Sequence, residues 1–323
     1  MNARSMPTRA ALITPRGRGA VACIAVIGPQ AVATVESLFR SAGGRRASDQ
    51  SLDLILYGTW APTGEEVIIV RRDESNIEVH CHGGAAAAEA ILASLAAAGC
   101  AIIQWQEFIA SQELSPIRAA ARIALASCAT QRTANMLLDQ YRGALEGAIK
   151  RVTEQLTRSH PALAVTELRE LLTWTDFGQH LSTPWRVVIV GPPNVGKSTL
   201  INALVGYERA IVFDQPGTTR DVVTAGAAID GWPIELADTA GLRSGGDTLE
   251  QEGARRARAA LQSADQAILV FDITQAWSQE DERLASELPG ALIVYNKCDL
   301  LADEKATQPA ADRPGGLLAS AKT

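Results

Sequence analysis

Gly191-Pro192-Pro193-Asn194-Val195-Gly196-Lys197-Ser198 is the stretch whose residue types and spacing specify a chemistry. It has the G-x-x-x-x-G-K-S/T spacing of a phosphate-binding loop. The apolar run Trp185 to Val190 before it predicts a buried strand, and Thr199 to Leu204 after it predicts the first turns of a helix. Gly191 and Gly196 let the backbone turn until successive N–H groups face phosphate oxygens, and the helix N-terminus adds its positive end. Lys197 would reach the β- and γ-phosphates, and Ser198 would offer its hydroxyl to Mg²⁺. The competing reading is a chance glycine-rich turn, and the strand and helix on either side argue against it.

Four further segments follow in order: Gly217-Thr218-Thr219-Arg220-Asp221, Asp238-Thr239-Ala240-Gly241, Asn296-Lys297-Cys298-Asp299 and Ser320-Ala321-Lys322. With the loop, this set resembles the G domain of the translation-factor-like GTPases. The resemblance implies a GTP site built from Asn194 to Thr199, Gly217 to Thr219, Asp238 to Gly241, Asn296, Lys297, Asp299 and Ser320 to Lys322. Thr219 would complete the Mg²⁺ shell, Asp238 would hold Mg²⁺ through water, and the Gly241 N–H would meet the γ-phosphate. The Asp299 carboxylate would accept from guanine N1–H and the exocyclic amine, a pairing that adenine cannot match. The backbone of Ser320-Ala321-Lys322 would meet guanine O6.

The chain has 323 residues, 47% hydrophobic and 20% charged, with a net charge of −6. That length holds two or three domains. The acidic balance gives no global attraction to nucleic acid, so any RNA contact must be local or made through a partner. Five cysteines (Cys23, Cys81, Cys100, Cys128, Cys298) lack paired spacing and read as reduced thiols. No apolar run is long enough to span a membrane and no signal-peptide pattern follows Met1, so the expected location is the cytoplasm.

The fold class predicted is α/β: a G domain with a mainly parallel sheet, preceded by an α+β domain and a partial helical domain. In the α+β domain (residues 1 to 112), strands are expected at Ala11 to Thr14, Val21 to Ile27, Leu54 to Trp60, Glu66 to Val70 and Ile77 to His82. Helices are expected at Pro29 to Arg40 and Ala85 to Ala98. In the helical domain (113 to 182), one helix starts at Ser115-Pro116, a long one runs from Ala134 to Leu156, and another spans Thr166 to Trp174. Residues 175 to 184 read as a linker into the G domain (183 to 323). His80 and His82 share a face of one strand. They could bind a metal, but no third ligand is visible in the nearby sequence, and packed or loop-anchoring histidines are the favoured reading.

At Thr14-Pro15-Arg16-Gly17-Arg18-Gly19-Ala20-Val21, at Glu78-Val79-His80-Cys81-His82-Gly83-Gly84 and through the G domain, the chain resembles the MnmE (TrmE) family of tRNA modification GTPases. The resemblance implies work with a flavin-dependent partner, MnmG, on the wobble uridine of tRNA, using formyl-tetrahydrofolate bound in the first domain. It implies a homodimer whose G domains pair on binding K⁺, with Asn194, Thr218 and carbonyls around Phe213 and Gln215 as ligands. It also implies that Glu250 orients the attacking water, with Lys197 the other catalytic residue. Leu242 after Asp238-Thr239-Ala240-Gly241 cannot position water, so another residue must. By residue type alone, Glu250 reads equally as a solvated carboxylate at a helix start.

The chain departs from the family in three ways. Ala25 stands where the family has a folate-holding basic residue. Gln106-Glu107-Phe108 is a remnant of a longer segment whose lysine has no counterpart, which leaves Glu78 as the remaining folate candidate. Thr323 closely follows Ser320-Ala321-Lys322, so the expected G domain lacks its final helix and the helical domain its second half. Two other readings therefore stay open: a GTPase regulating an assembly without one-carbon chemistry, and a non-catalytic scaffold. The second is opposed by intact Lys197, Ser198, Asp238 and Glu250.

Overall fold

The computed structural model describes residues 7–15, 19–158, 160–206, 211–212, 224–238, 259–301 and 313–322. The chain forms two compact units, Met1–Ala120 and Ala121–Thr323.

In the first unit, β1 (Arg9–Leu12), β2 (Val21–Ile27), β3 (Phe39–Ser41), β4 (Ile55–Trp60), β5 (Glu65–Arg71), β6 (Asn76–His82) and β7 (Ala101–Ile102) make one sheet, ordered β3-β4-β5-β6-β2-β1-β7. All its pairings are antiparallel except β1 with β7. Alternation along β2 splits the core. Ala22, Ile24 and Val26 face α1 (Ala31–Leu38) and α2 (Ala85–Ala97), in one cluster with Val35, Trp60, Val79 and Ile91. Ala25 and Ile27 pack on the other side with Phe108 of α3 (Trp105–Gln112). Trp60 is wholly buried and donates its indole N–H to Ser94 Oγ at 2.7 Å, which satisfies its one polar atom. The expected helix Pro29 to Arg40 ends earlier, because Phe39 and Arg40 belong to β3. Their backbone gains a ladder with β4, and the Phe39 ring enters the core.

The helix α4 (Pro116–Leu125) crosses the boundary between the units. The single helix expected at Ala134 to Leu156 is two, α5 (Gln131–Tyr141) and α6 (Ala144–Thr157). Gly143 between them has φ 106°, a left-handed conformation that costs a side-chain-bearing residue about 1–2 kcal/mol. The next helix, α7 (Pro161–Thr173), begins at the proline, earlier than Thr166. The stretch expected as a linker carries α8 (Thr175–Gln179) and the buried His180, whose ring stacks on Trp185 at 3.6 Å.

The second sheet contains β8 (Trp185–Val190), β9 (Ile211–Val212), β10 (Thr224–Ile229), β11 (Trp232–Asp238), β12 (Gln266–Asp272), β13 (Leu292–Asn296) and β14 (Leu317–Leu318). Its order is β14-β13-β12-β8-β11-β10-β9, parallel from β14 through β11. One face packs Ile189, Leu236, Val270 and Val294 with Leu200 and Ile201 of α9 (Lys197–Val205). The other packs Val188, Leu269 and Phe271 with Leu284 of α10 (Gln279–Glu287). The β10–β11 hairpin turns on Asp230 and Gly231, at φ 49° and 77°. Helix α5 grips this turn. Thr130, its N-cap, donates to Gly231 O at 2.7 Å, and Arg132 donates to Asp230 O at 2.8 Å while lying 4.7 Å over the Trp232 ring.

Candidate functional site

Parallel strands deliver their carboxyl ends to one edge of the second sheet, and the loops that follow β8, β12 and β13 meet there. The phosphate loop leaves β8 at Gly191. A Cβ on Gly191 would collide with Val270 O of the neighbouring strand, and one on Gly196 would collide with the Asn296 side-chain amide. Asn194 and Gly196 are left-handed, at φ 62° and 91°. The two glycines are therefore fixed by close approach from β12 and β13 as well as by the turn itself.

Asn296 organises the site. It is 2% exposed, donates through Nδ2 to Val195 O at 2.9 Å, and accepts at Oδ1 from the Ala321 N–H at 3.1 Å. One buried amide thus ties the phosphate loop to the Ser320-Ala321-Lys322 segment. That segment is held further by Ala319 N–H to Tyr295 O at 2.9 Å and Cys298 N–H to Ala319 O at 3.1 Å.

Lys197, at the start of α9, is 7% exposed and donates to Gly191 O at 3.0 Å and Pro192 O at 2.7 Å. Lys297 crosses the loop from the other side, donating to Asn194 O at 2.9 Å and Asp272 Oδ2 at 2.7 Å. Burial pushes the Asp272 carboxyl up, but hydrogen bonds from Lys297 and Thr274 prevail and hold it below its ordinary value. Asp272 was not singled out in the sequence. Its place at the carboxyl end of a strand beside the phosphate loop was the available signal. Asp299 stands exposed on the 3-10 turn Cys298–Leu300.

The structure brings Asn194, Val195, Gly196, Lys197 and Ser198 together with Asn296, Lys297, Ala321 and their neighbours. Asp238 ends β11 in register with Ile189 of β8, one residue before the loop-bearing end of that strand. Phe213, Gln215, Gly217, Thr218, Thr219, Thr239, Ala240, Gly241 and Glu250 lie outside the described residues.

In the first unit, the expectation that no third ligand stands near the histidines is overturned. His82 Nδ1 meets Glu65 at 2.5 Å, whereas His80 Nε2 lies 3.1 Å from Glu78 Oε2 and 3.8 Å from Cys23 Sγ. The register of β2 against β6, which sets Cys23 opposite His80 and Ala25 opposite Glu78, makes this cluster. Glu78 also accepts from Arg72 at 2.8 Å.

Residues 8–111 match the family model described as GTP-binding protein TrmE N-terminus, and residues 186–297 match that described as 50S ribosome-binding GTPase. Among curated proteins, the tRNA modification GTPase MnmE of Synechococcus sp. RCC307 is 35% identical over 335 residues, covering 90% of this chain and 73% of the relative. That of Chloroflexus aurantiacus is 37% identical over 334 residues, with the same coverage of 90% and 73%. That of Geobacillus kaustophilus is 32% identical over 354 residues, covering 95% and 77%. Among solved structures, Era in complex with MgGDPNP and a 16S ribosomal RNA fragment aligns over 42% of this chain and 51% of its own, at 31% identity and a TM-score of 0.34.

Proposed function

The chain belongs to the MnmE family of tRNA modification GTPases, and on that premise we propose that it couples K⁺-activated GTP hydrolysis to modification of the wobble uridine of tRNA. One observation carries the reading: the Asn296 tether assembles a guanine-nucleotide frame on the same chain as a TrmE-type N-terminal domain. The residues fit the ligand. A loop that tolerates no Cβ at 191 or 196 lets backbone N–H groups close on phosphate, and the Lys197 amine sits beneath it.

Ser198 and Asp238 would hold Mg²⁺, with Thr219, and the ion supplies positive charge at the phosphate oxygens when bound. Asn194 would hold K⁺, with Thr218 and the carbonyls of Phe213 and Gln215, and that ion offsets charge on the leaving phosphate. Glu250 would orient the water, since Leu242 has no group to do so. The expected assembly is a cytoplasmic homodimer acting with the MnmG partner. No helix among the described residues is long and apolar enough to cross a membrane.

A second reading, GTP turnover that regulates an assembly without one-carbon chemistry, draws on one specific observation. Glu78, the remaining candidate to hold formyl-tetrahydrofolate, is engaged by Arg72 and His80 and faces Ala25. The two readings separate in a bacterium lacking its own MnmE-type GTPase. Expressing this chain should restore the modified wobble nucleoside, measured by mass spectrometry of digested tRNA, and Lys197→Ala should not. Unmodified wobble uridine alongside intact GTP turnover would contradict the first reading and favour the second.

A further inference from the structure

We propose that Cys23, Glu78 and His80 form a binding site for one zinc-like divalent cation on the face of the first sheet opposite α1 and α2. Strand register creates the site: Cys23 on β2 lies directly across from His80 on β6, and Glu78 precedes His80 by two residues, so all three side chains rise from one face. Their ligand atoms all lie within 4.8 Å of one another. In a tetrahedral zinc site, bond lengths of about 2.3 Å to sulfur and 2.0 Å to nitrogen or oxygen put S···N near 3.6 Å and N···O near 3.3 Å. Here Sγ···Nε2 is 3.8 Å and Nε2···Oε2 is 3.1 Å, so small side-chain rotations reach that geometry.

The chemistry of the set narrows the metal. A thiolate with an imidazole selects zinc, cobalt or nickel over magnesium and calcium. Three protein ligands leave a fourth position for water or a substrate atom. A cavity of about 200 Å³, lined by Val21, Tyr57, Ile68 and His80, adjoins the cluster and gives that position an approach. Arg72 serves as the outer support. It bonds Glu78 and Asp53, each at 2.8 Å, and so fixes the carboxylate that the metal would share. His80 ligates through Nε2, which requires the proton on Nδ1. Burial and the neighbouring Glu78 push the Cys23 thiol up to about 12, so loading the metal displaces one proton from Cys23 into solvent.

The competing account is an Arg72–Glu78–His80 hydrogen-bond array with a buried neutral thiol beside it. Cobalt distinguishes the two. The purified full chain, stripped with chelator, is titrated with Co²⁺ and followed by absorption. The expected result is one equivalent bound, with a thiolate-to-cobalt charge-transfer band and strong visible bands of tetrahedral cobalt, all removed by Zn²⁺. Cys23→Ser should erase the charge-transfer band. Glu78→Gln and His80→Gln should each weaken binding by at least about tenfold, and His82→Ala should leave the spectrum unchanged. Thermal melts check folding of each variant, and the partly exposed His80 position keeps the test valid if Cys23→Ser is unstable. Absence of a thiolate band in the wild type, or its persistence with unchanged affinity in Cys23→Ser or His80→Gln, overturns the proposal.

Discussion

Replacing Lys197 with alanine is expected to lower GTP turnover by about a thousandfold or more and to weaken nucleotide binding, with little change in melting temperature. The ammonium lies beneath the phosphate loop, 7% exposed, held by the carbonyls of Gly191 and Pro192. In the proposed turnover complex it would bring the protein's own positive charge to the β- and γ-phosphates, beside the metal ion. Removing a single preorganised donor from such a site costs about 10²–10³ in rate, and a full charge in a shielded pocket costs more. Arginine does not substitute, because its planar fork cannot occupy the place of a compact ammonium gripped by two carbonyls of one tight turn. The check is phosphate release under saturating GTP, with a fluorescent guanine nucleotide reporting affinity. Turnover within tenfold of wild type would remove Lys197 from its catalytic role.

The second large effect is one of specificity. Asp299→Asn is expected to reduce GTP affinity by roughly 10³-fold or more, without improving ATP binding and with an unchanged melting temperature. In the proposed site the carboxylate would accept from both N1–H and the exocyclic amine of guanine. An amide in its place presents an N–H donor to one of those donors, leaving a pair unmade at a site built for it. Xanthine carries a carbonyl where guanine has the amine, so the variant should bind the xanthine nucleotide better than the wild type does. Asp299 is exposed on its 3-10 turn, and that turn is held by backbone bonds from Cys298 and Leu301, so folding does not depend on the carboxylate. Competition binding with the three nucleotides measures the effect. Equal GTP affinity in wild type and variant would show that another group reads the base.

The phosphate site was legible in the sequence because its constraints are local. Two glycines at fixed spacing, a lysine and a serine between a strand and a helix carry their own geometry. The structure adds a non-local reason for the same glycines: Val270 O and the Asn296 amide occupy the space that side chains would need. Lys297 and Asp272 show the opposite case. Their 2.7 Å ion pair joins residues 25 positions apart, and only the pairing of β12 with β13 brings them together. The pairing of Cys23 with His80 is hidden from sequence reading for the same reason, since strand register decides which side chains of different strands share a face.

Two element assignments failed over one or two residues. The long helical stripe concealed a break that Gly143 makes through a left-handed backbone. Phe39 and Arg40 continue a helical pattern, yet the free edge of β4 claims them for the sheet. In both cases periodicity was right about which side chains are apolar and silent about where the backbone had to turn.

The most direct measurement is steady-state phosphate release from GTP by the purified chain in Mg²⁺, compared in K⁺ and in Na⁺, with Lys197→Ala as the blank. The account predicts GTP turnover in K⁺ at least about tenfold above that in Na⁺, a contribution on the scale of one electrostatic partner at the leaving phosphate. Turnover equal in the two salts would contradict the assigned role of Asn194. No turnover above the Lys197→Ala blank in either salt would contradict the claim that this site hydrolyses GTP.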